Sequence, residues 1–321
     1  MANSFALKRA GTALVTLFLV SVLSFLAFSV IRGDPASLVL GINSTPEQRA
    51  AFREEIGLNR SVPARYCQWV GNFFSGNLGN SLRFQGEPIS AMILQRLPIS
   101  FTLALLSLIF ILSIAVPVSL LSARRENSLT DRAVNICTAI GISVPNFFLG
   151  VLIIWVFGII LRLFRVGVYV DYRANFGGFI GSLCFPALAI AIPNAAIMIK
   201  FLRSSIFKEQ RADYVRTARG KGASHSLTLR RHILRNAVIP AITVLGMIVA
   251  DVFAGSIVIE QVFGIPGMGR LLIAAITSRD YPLIQTLVVF IAFLVIVANT
   301  LVDVAIQVID PRIRLKGDAR A

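Results

Sequence analysis

The sequence predicts an all-α integral membrane protein with six transmembrane helices. Three observations carry that expectation. Of 321 residues, 56% are hydrophobic and only 15% charged; mean hydropathy is +0.77; and the apolar residues fall in separated runs long enough to cross a bilayer. A soluble domain has no interior able to bury so much apolar surface. The formal charge of +15 does not point to nucleic acid, because the arginines gather between apolar runs instead of forming one stripe. Membrane topology accounts for them.

The first run, Ala10 to Ile31, follows Lys8 and Arg9 and measures about 33 Å as a helix, enough for one crossing. It lacks the short apolar core and small-residue cleavage site of a signal peptide, so it is expected to stay in the mature chain. From Arg32 to Pro98 the chain is polar but carries folding signals. Thr45-Pro46-Glu47-Gln48 reads as an N-cap, a proline at the first helical position and a capping-box glutamine, with Gly57 to end the helix. A second short helix follows Pro63, with Tyr66, Trp69, Val70 and Phe73 on one apolar side and Gly76 to Gly79 at its end. Aromatic residues of this kind suit a membrane interface. Residues 1–99 are therefore read as the first span plus an outer-face lobe, and residues 100–321 as a five-helix core.

Phe101 to Leu121 is the second span, with Arg124 and Arg125 at its end. The run from Ala133 to Leu161 contains Pro145; each half is too short to cross, so one long helix kinked or tilted at Pro145 is expected. The fourth span, Phe179 to Ile199, holds Pro186 and Pro193. Prolines free backbone carbonyls that neighbouring helices must satisfy, which places this helix inside the bundle. Val238 to Ile259 is the fifth span, thinned by Gly246 and Gly255 for close packing. Gly264-Ile265-Pro266-Gly267-Met268-Gly269 breaks it, Arg270 to Ser278 forms a short surface helix, and Leu283 to Ile309 is the sixth span.

Basic residues set the orientation. One side holds Lys8, Arg9, Arg124, Arg125 and Arg132, ten from Lys200 to Arg235, and Arg312, Arg314, Lys316 and Arg320; the short loops opposite hold only Arg162, Arg165, Arg173, Arg270 and Arg279. The long segment from Arg32 to Pro98 carries seven more, but long loops translocate largely regardless of charge. Both termini are therefore expected in the cytoplasm.

Catalytic chemistry is not legible. Cys67, Cys137 and Cys184 lie far apart without zinc-ligand spacing and are read as free thiols, a Cys67–Cys184 disulfide being a matter for geometry. His225 and His232 read as solvated or helix-capping. Gly220-Lys221-Gly222-Ala223-Ser224 lacks the first glycine and the preceding strand of a phosphate-binding loop. No nucleophile elbow, metal motif or carboxylate pair follows, so neither enzyme activity nor a cofactor is expected.

The most informative stretch is the basic segment of residues 200–240 between the fourth and fifth spans. Asp213 can cap a short helix that stops at Gly220 or Gly222. On it Tyr214, Thr217 and Ala218 make one small, uncharged face with Arg216 and Arg219 beside it, a surface suited to close docking. The segment resembles the cytoplasmic EAA loop of ABC-importer permeases, whose coupling helix enters a groove on the ATPase subunit. Its glutamate position reads Arg216 here, in Arg216-Thr217-Ala218 with Gly222 and Pro240 following, similar to the first-permease type of the dipeptide, oligopeptide and nickel branch. Gly33-Asp34-Pro35, Gly57-Leu58, Gly79, Ser143-Val144-Pro145-Asn146-Phe147-Phe148-Leu149-Gly150, Arg279-Asp280-Tyr281-Pro282 and Asp310-Pro311-Arg312-Ile313-Arg314 extend the resemblance almost end to end.

The resemblance implies a type I ABC-importer permease fold in the bacterial cytoplasmic (inner) membrane. It also implies a homologous second permease as partner, two ATP-binding cassette ATPases, and an extracytoplasmic binding protein that delivers di- or oligopeptides. Nickel, glutathione or another small solute is the alternative cargo. Ala212, Asp213, Tyr214, Arg216, Thr217, Ala218 and Gly222 would form the ATPase contact. A secondary transporter should instead show repeated halves with broken helices, and a channel a filter or charged ring.

Asp251, with Asn194 and Ser256, is a candidate for the translocation path. A carboxylate well inside a span costs about 2.5 to 3.5 kcal/mol on insertion scales, so it should face the bundle interior or water. The family more often has an apolar or aromatic residue at this position. Asp251 either attracts a cationic group of the cargo or joins two helices by hydrogen bonding.

Overall fold

The computed structural model describes residues 2–30, 44–55, 59–84, 86–124 and 126–309. Its helices are α1 (Ala2–Val30), α2 (Pro46–Glu55), α3 (Val62–Phe74), α4 (Ile89–Ala123), α5 (Leu129–Ser143), α6 (Asn146–Ile153, continued by a π-helical stretch Ile154–Ile160), α7 (Phe176–Gln210), α8 (Asp213–Gly220), α9 (His225–Thr228, π-helical from Leu229 to Ile233), α10 (Leu234–Phe263), α11 (Met268–Ser278) and α12 (Tyr281–Ile309). Among the described residues the extended backbone amounts to one isolated bridge, Asn80 to Pro88. By length and composition, four helices among the described residues can cross a membrane: α4, α7, α10 and α12. The bent pair α5–α6 makes a fifth, and the apolar part of α1, Gly11–Ala27, is shorter. Gly33-Asp34-Pro35, Gly57-Leu58 and Asp310 to Arg314 lie outside the described residues.

Two compact units can be separated, residues 1–98 with 271–296, and residues 99–270 with 297–321. In the first, the capping box forms as expected: the Thr45 N–H donates to Gln48 Oε1 at 3.0 Å and the Gln48 N–H to Thr45 Oγ1 at 3.2 Å. α3 starts with proline in its first turn. Its aromatic side packs on α1: the Phe25 ring lies 5.4 Å from Tyr66 and 6.1 Å from Trp69, and the Tyr66 hydroxyl is 2.8 Å from Ser21 Oγ. The aromatics that suit an interface thus hold two helices together. Asp280 is fully buried and caps α12. It binds the Ser81 hydroxyl and the Arg83 N–H at 3.3 Å, while Arg83 Nε donates to the Ser278 carbonyl at 3.0 Å.

The second unit is organised around α7, of whose apolar window 67% is buried, against 44% for α10. Pro186 and Pro193 lie inside it and are buried, in keeping with the interior position that the sequence predicts. Phe164, in the segment before α7, stacks on Phe185 at 4.5 Å and lies 6.2 Å from Phe263 of α10. A Cβ at Gly255 of α10 would lie 2.7 Å from the terminal amide Nδ2 of Asn146, which must shift to admit it; at Gly246 the nearest atom is at an ordinary 3.8 Å. The cysteines are free.

Two departures from the sequence expectation go beyond lengthened helix ends of a few residues. α4 begins at Ile89, not at Phe101: Ile89, Met92 and Ile93 fall at i, i+3 and i+4 and are buried, as is Ile99, so the apolar stripe starts before Pro98 and the helix absorbs that proline. The run through Pro145 is not one kinked helix. α5 and α6 are separate helices bent by 101°. The proline ring disfavours the helical conformation of its predecessor, and Val144 is extended, with φ −89° and ψ 121°; Pro145, at ψ 143°, is extended too.

Candidate functional site

The expected docking segment folds as a short helix, anchored on one side and exposed on the other. α7 ends at Gln210, Arg211 and Ala212 turn the chain, and α8 begins at Asp213. The Ala212 N–H bonds to the Glu209 carbonyl at 3.1 Å. Asp213 puts a carboxylate in the first turn of α8, where the helix dipole favours it, and its carbonyl receives the Thr217 hydroxyl at 3.2 Å. Val215 is the buried anchor. Around it Asp213, Tyr214, Arg216 and Thr217 are exposed and Ala218 half-buried. The Tyr214 hydroxyl donates to Glu209 Oε2 at 2.6 Å; partial burial, then that hydrogen bond to a carboxylate, raise its pKa above the ordinary tyrosine value.

Gly222 ends the helix as the sequence predicts. It adopts φ +86°, a left-handed conformation that other residues reach only at a cost. This lets the Ala223 N–H reach the Ala218 carbonyl at 3.2 Å, the long bond of a Schellman turn. Six of the seven residues assigned to ATPase contact thus form one turn-and-helix, and Gly222 fixes its exit.

Of the three path candidates, two are buried and one is exposed. Asn194 and Ser256 are buried, each bonded to its own helix, Asn194 Nδ2 to the Ile190 carbonyl at 3.0 Å and Ser256 Oγ to the Phe253 carbonyl at 2.8 Å. Asp251 is exposed on the surface of this chain, in line with exposed Met247, Ala254 and Val258.

Two polar clusters were missed. At the Phe263 end of α10, the carboxylate of Glu260 is fully buried. Ser100 donates its hydroxyl to Oε1 at 2.6 Å and accepts the Met268 N–H at 2.8 Å; the Arg270 N–H reaches Oε2 at 3.1 Å. Glu260 and Ser100 thereby cap α11. A Cβ at Gly267 would overlap the Glu260 carboxylate, and one at Gly269 would overlap Ile257 Cα, so these glycines make room for the cap. At the Gln210 end of α7, Arg203 Nε and Nη2 fork onto Asp131 Oδ1 and Oδ2 at 2.7 and 2.9 Å. Ser122 donates to Asp131 Oδ1 at 2.5 Å and the Asn127 N–H to Oδ2 at 3.1 Å. The sequence signal for Glu260 was its position one residue past the expected span end, Ile259; the Asp131–Arg203 pair joins positions 72 apart with no local signal.

Comparison with known proteins identifies the family. Residues 115–315 match the model of the family described as "Binding-protein-dependent transport system inner membrane component". Residues 2–104 match that of the "Binding-prot-dependent transport system membrane comp, N-term". The oligopeptide transport system permease protein AppB of Bacillus subtilis is 34% identical over 97% of this chain and 99% of its own. The dipeptide transport system permease protein DppB of Lactococcus lactis is 33% identical over 97% and 99%. A permease protein of Brucella melitensis, named for a peptide transport system, is 35% identical over 98% and 99%. With both family models matched and relatives aligned over nearly the whole length, this chain belongs to the inner membrane components of binding-protein-dependent transport systems.

Proposed function

We propose that this chain is the non-catalytic transmembrane permease subunit of an ATP-driven ABC importer that passes di- or oligopeptides across the bacterial cytoplasmic membrane. It works with a homologous second permease, two ATP-binding cassette ATPases and an extracytoplasmic binding protein. Residues 1–99 supply the first span and the outer lobe, and residues 100–321 the five-helix core with its coupling loop. Six crossings leave both termini in the cytoplasm, an orientation supported by the basic residues of the short loops. The peptide cargo is supported by the names of the relatives.

The observation that carries this reading is α8. A short helix with one buried anchor, Val215, and an exposed face of Tyr214, Arg216 and Thr217 follows one membrane-length helix and precedes another. Ala218 lies half-exposed in that face, where a large side chain would hold a partner off. In Ala218→Arg the complex should insert normally but lose its ATPase on purification, and ATP-driven uptake with it. Normal coupling of hydrolysis to uptake in that variant would remove the docking assignment.

The exposure of Asp251 supports a second element. A carboxylate on the outside of a spanning helix is too costly against lipid, so it faces either the second permease or the water-filled path, where it attracts a cationic group of the peptide. Asp251→Asn should lower uptake of cationic peptides selectively. Equal uptake of cationic and neutral peptides by an assembled variant would assign Asp251 to packing.

A further inference from the structure

α8 follows α7 through two residues, and the end of α7 is fastened at three points to the end of α4, the turn after it and the first turn of α5. Arg203 forks onto Asp131; Gln210 Nε2 donates to the Ala123 carbonyl at 2.8 Å; and Arg211 Nη2 donates to Glu126 at 2.9 Å. The last pair is exposed and therefore weak. The first is different. The Asp131 side chain is 3% exposed and that of Arg203 22%, the guanidinium also lies 4.8 Å over the Phe207 ring, and two parallel bonds fix its direction as well as its distance.

On the far side of Asp131, α5 leads to the break at Pro145 with no slack. A Cβ at Gly141 would lie 2.9 Å from Ala196 of α7, one at Gly150 3.0 Å from Ile259, and one at Gly255 2.7 Å from Asn146. Close-packed surfaces transmit displacement instead of absorbing it. A purely apolar contact at the base of α7 could slide; a charged fork cannot without losing both bonds.

We propose that the Asp131–Arg203 pair is the strut through which displacement of the 200–240 loop reaches the broken helix α5–α6, and through it α10. Both are positioning residues, and their role rests on the docking reading of α8. The pair holds the base of α7 and the start of α5 as one body, so that work done on α8 moves the bend at Pro145 and not the end of α7 alone.

The test uses the complete importer in proteoliposomes with its binding protein. Peptide taken up per ATP hydrolysed is measured, and ATPase retention is read on the purified complex. Asp131→Asn and Arg203→Gln should each keep the ATPase and its hydrolysis while uptake per ATP falls about tenfold, the scale of an ordinary coupling between sites. The double variant should fall no further than the worse single one, because both remove the same link. The reversed pair, Asp131→Arg with Arg203→Asp, should regain most of the ratio, and it alone decides where a single variant does not accumulate. A normal ratio in the single variants, multiplied losses in the double, or a reversed pair that assembles without recovery would each overturn the strut. Loss of the ATPase from these variants would overturn it too, by placing the pair in docking. Failure of the docking reading shows separately, as an Ala218→Arg complex that keeps its ATPase and couples normally.

Discussion

Asp131 and Glu260 are both carboxylates buried in the same unit, and they are kept there by different means. Asp131 faces a guanidinium, a hydroxyl and one backbone N–H. Glu260 receives the Ser100 hydroxyl and the Arg270 backbone N–H, and among the described residues it forms no ion pair. The first arrangement depends on charge and joins two helices through long side chains. The second depends on backbone placement, with glycines clearing the space and a helix terminus supplying donors. A buried carboxylate is tolerated when its oxygens find donors, whichever way that is done. The two should fail differently, however, because an ion pair broken on one side leaves an uncompensated charge, whereas a neutral isostere can keep most of a cap.

The sharpest way to break the comparison is at the glycines. Gly269→Ala sets a Cβ against the Ile257 backbone, which cannot rotate away, so we expect a loss of about 3 kcal/mol and little assembled complex, read as yield and thermal midpoint in detergent. Asp131→Asn comes next. It leaves Arg203 facing a neutral amide, at about 2 kcal/mol after allowing for the partial exposure of the guanidinium. Glu260→Gln should cost only about 1 kcal/mol, since its carbonyl still accepts one bond and only its NH2 group is misplaced. If Glu260→Gln is the more damaging of the two, the cap depends on full charge and the contrast is lost. The smallest effect sharpens the packing side: Gly246→Ala should stabilise by about 0.5 kcal/mol, as helical glycines do when space allows, while Gly255→Ala, which meets Asn146, should have the opposite sign.

Local chemistry was legible in the sequence, and long-range chemistry was not. The Thr45–Gln48 box and the Gly222 turn involve neighbours in the chain, so residue type and spacing determine them. The span-length apolar runs behaved alike: α7, α10 and α12 cover the fourth, fifth and sixth runs and extend beyond each where polar residues continue the helix. Glu260 is not legible because a first charge marks the end of an apolar run, although a helix continues past a carboxylate that finds donors. Asp131 and Arg203 escaped because a pair 72 positions apart has no period. Gly267 and Gly269 read as helix breakers; that they also clear room for a carboxylate depends on what packs above them. The severity of the break at Pro145 belongs to the same class. A proline licenses a bend, and its angle is set by the helices around it.

That break also bears on how the chain is made. Where α5 stops and α6 starts, the carbonyls of one helix end and the amides of the next have lost their helical partners, and Pro145 provides no side-chain cap. Hydrocarbon offers nothing in exchange, so such a corner survives only inside protein. α7 and α10, which are synthesised later, pack against the helices on either side of it at Gly141, Gly150 and Asn146, while Ser143 and Pro145 at the corner itself are exposed on this chain, so its cover is complete only on assembly with the second permease proposed above. Segment 129–160 therefore cannot settle in the bilayer as it leaves the ribosome. It waits at the insertion machinery, or returns from a straighter form, until residues more than a hundred positions downstream arrive. A polypeptide cut short before α10 would carry an unsheltered corner, the kind of exposed backbone that quality-control proteases find.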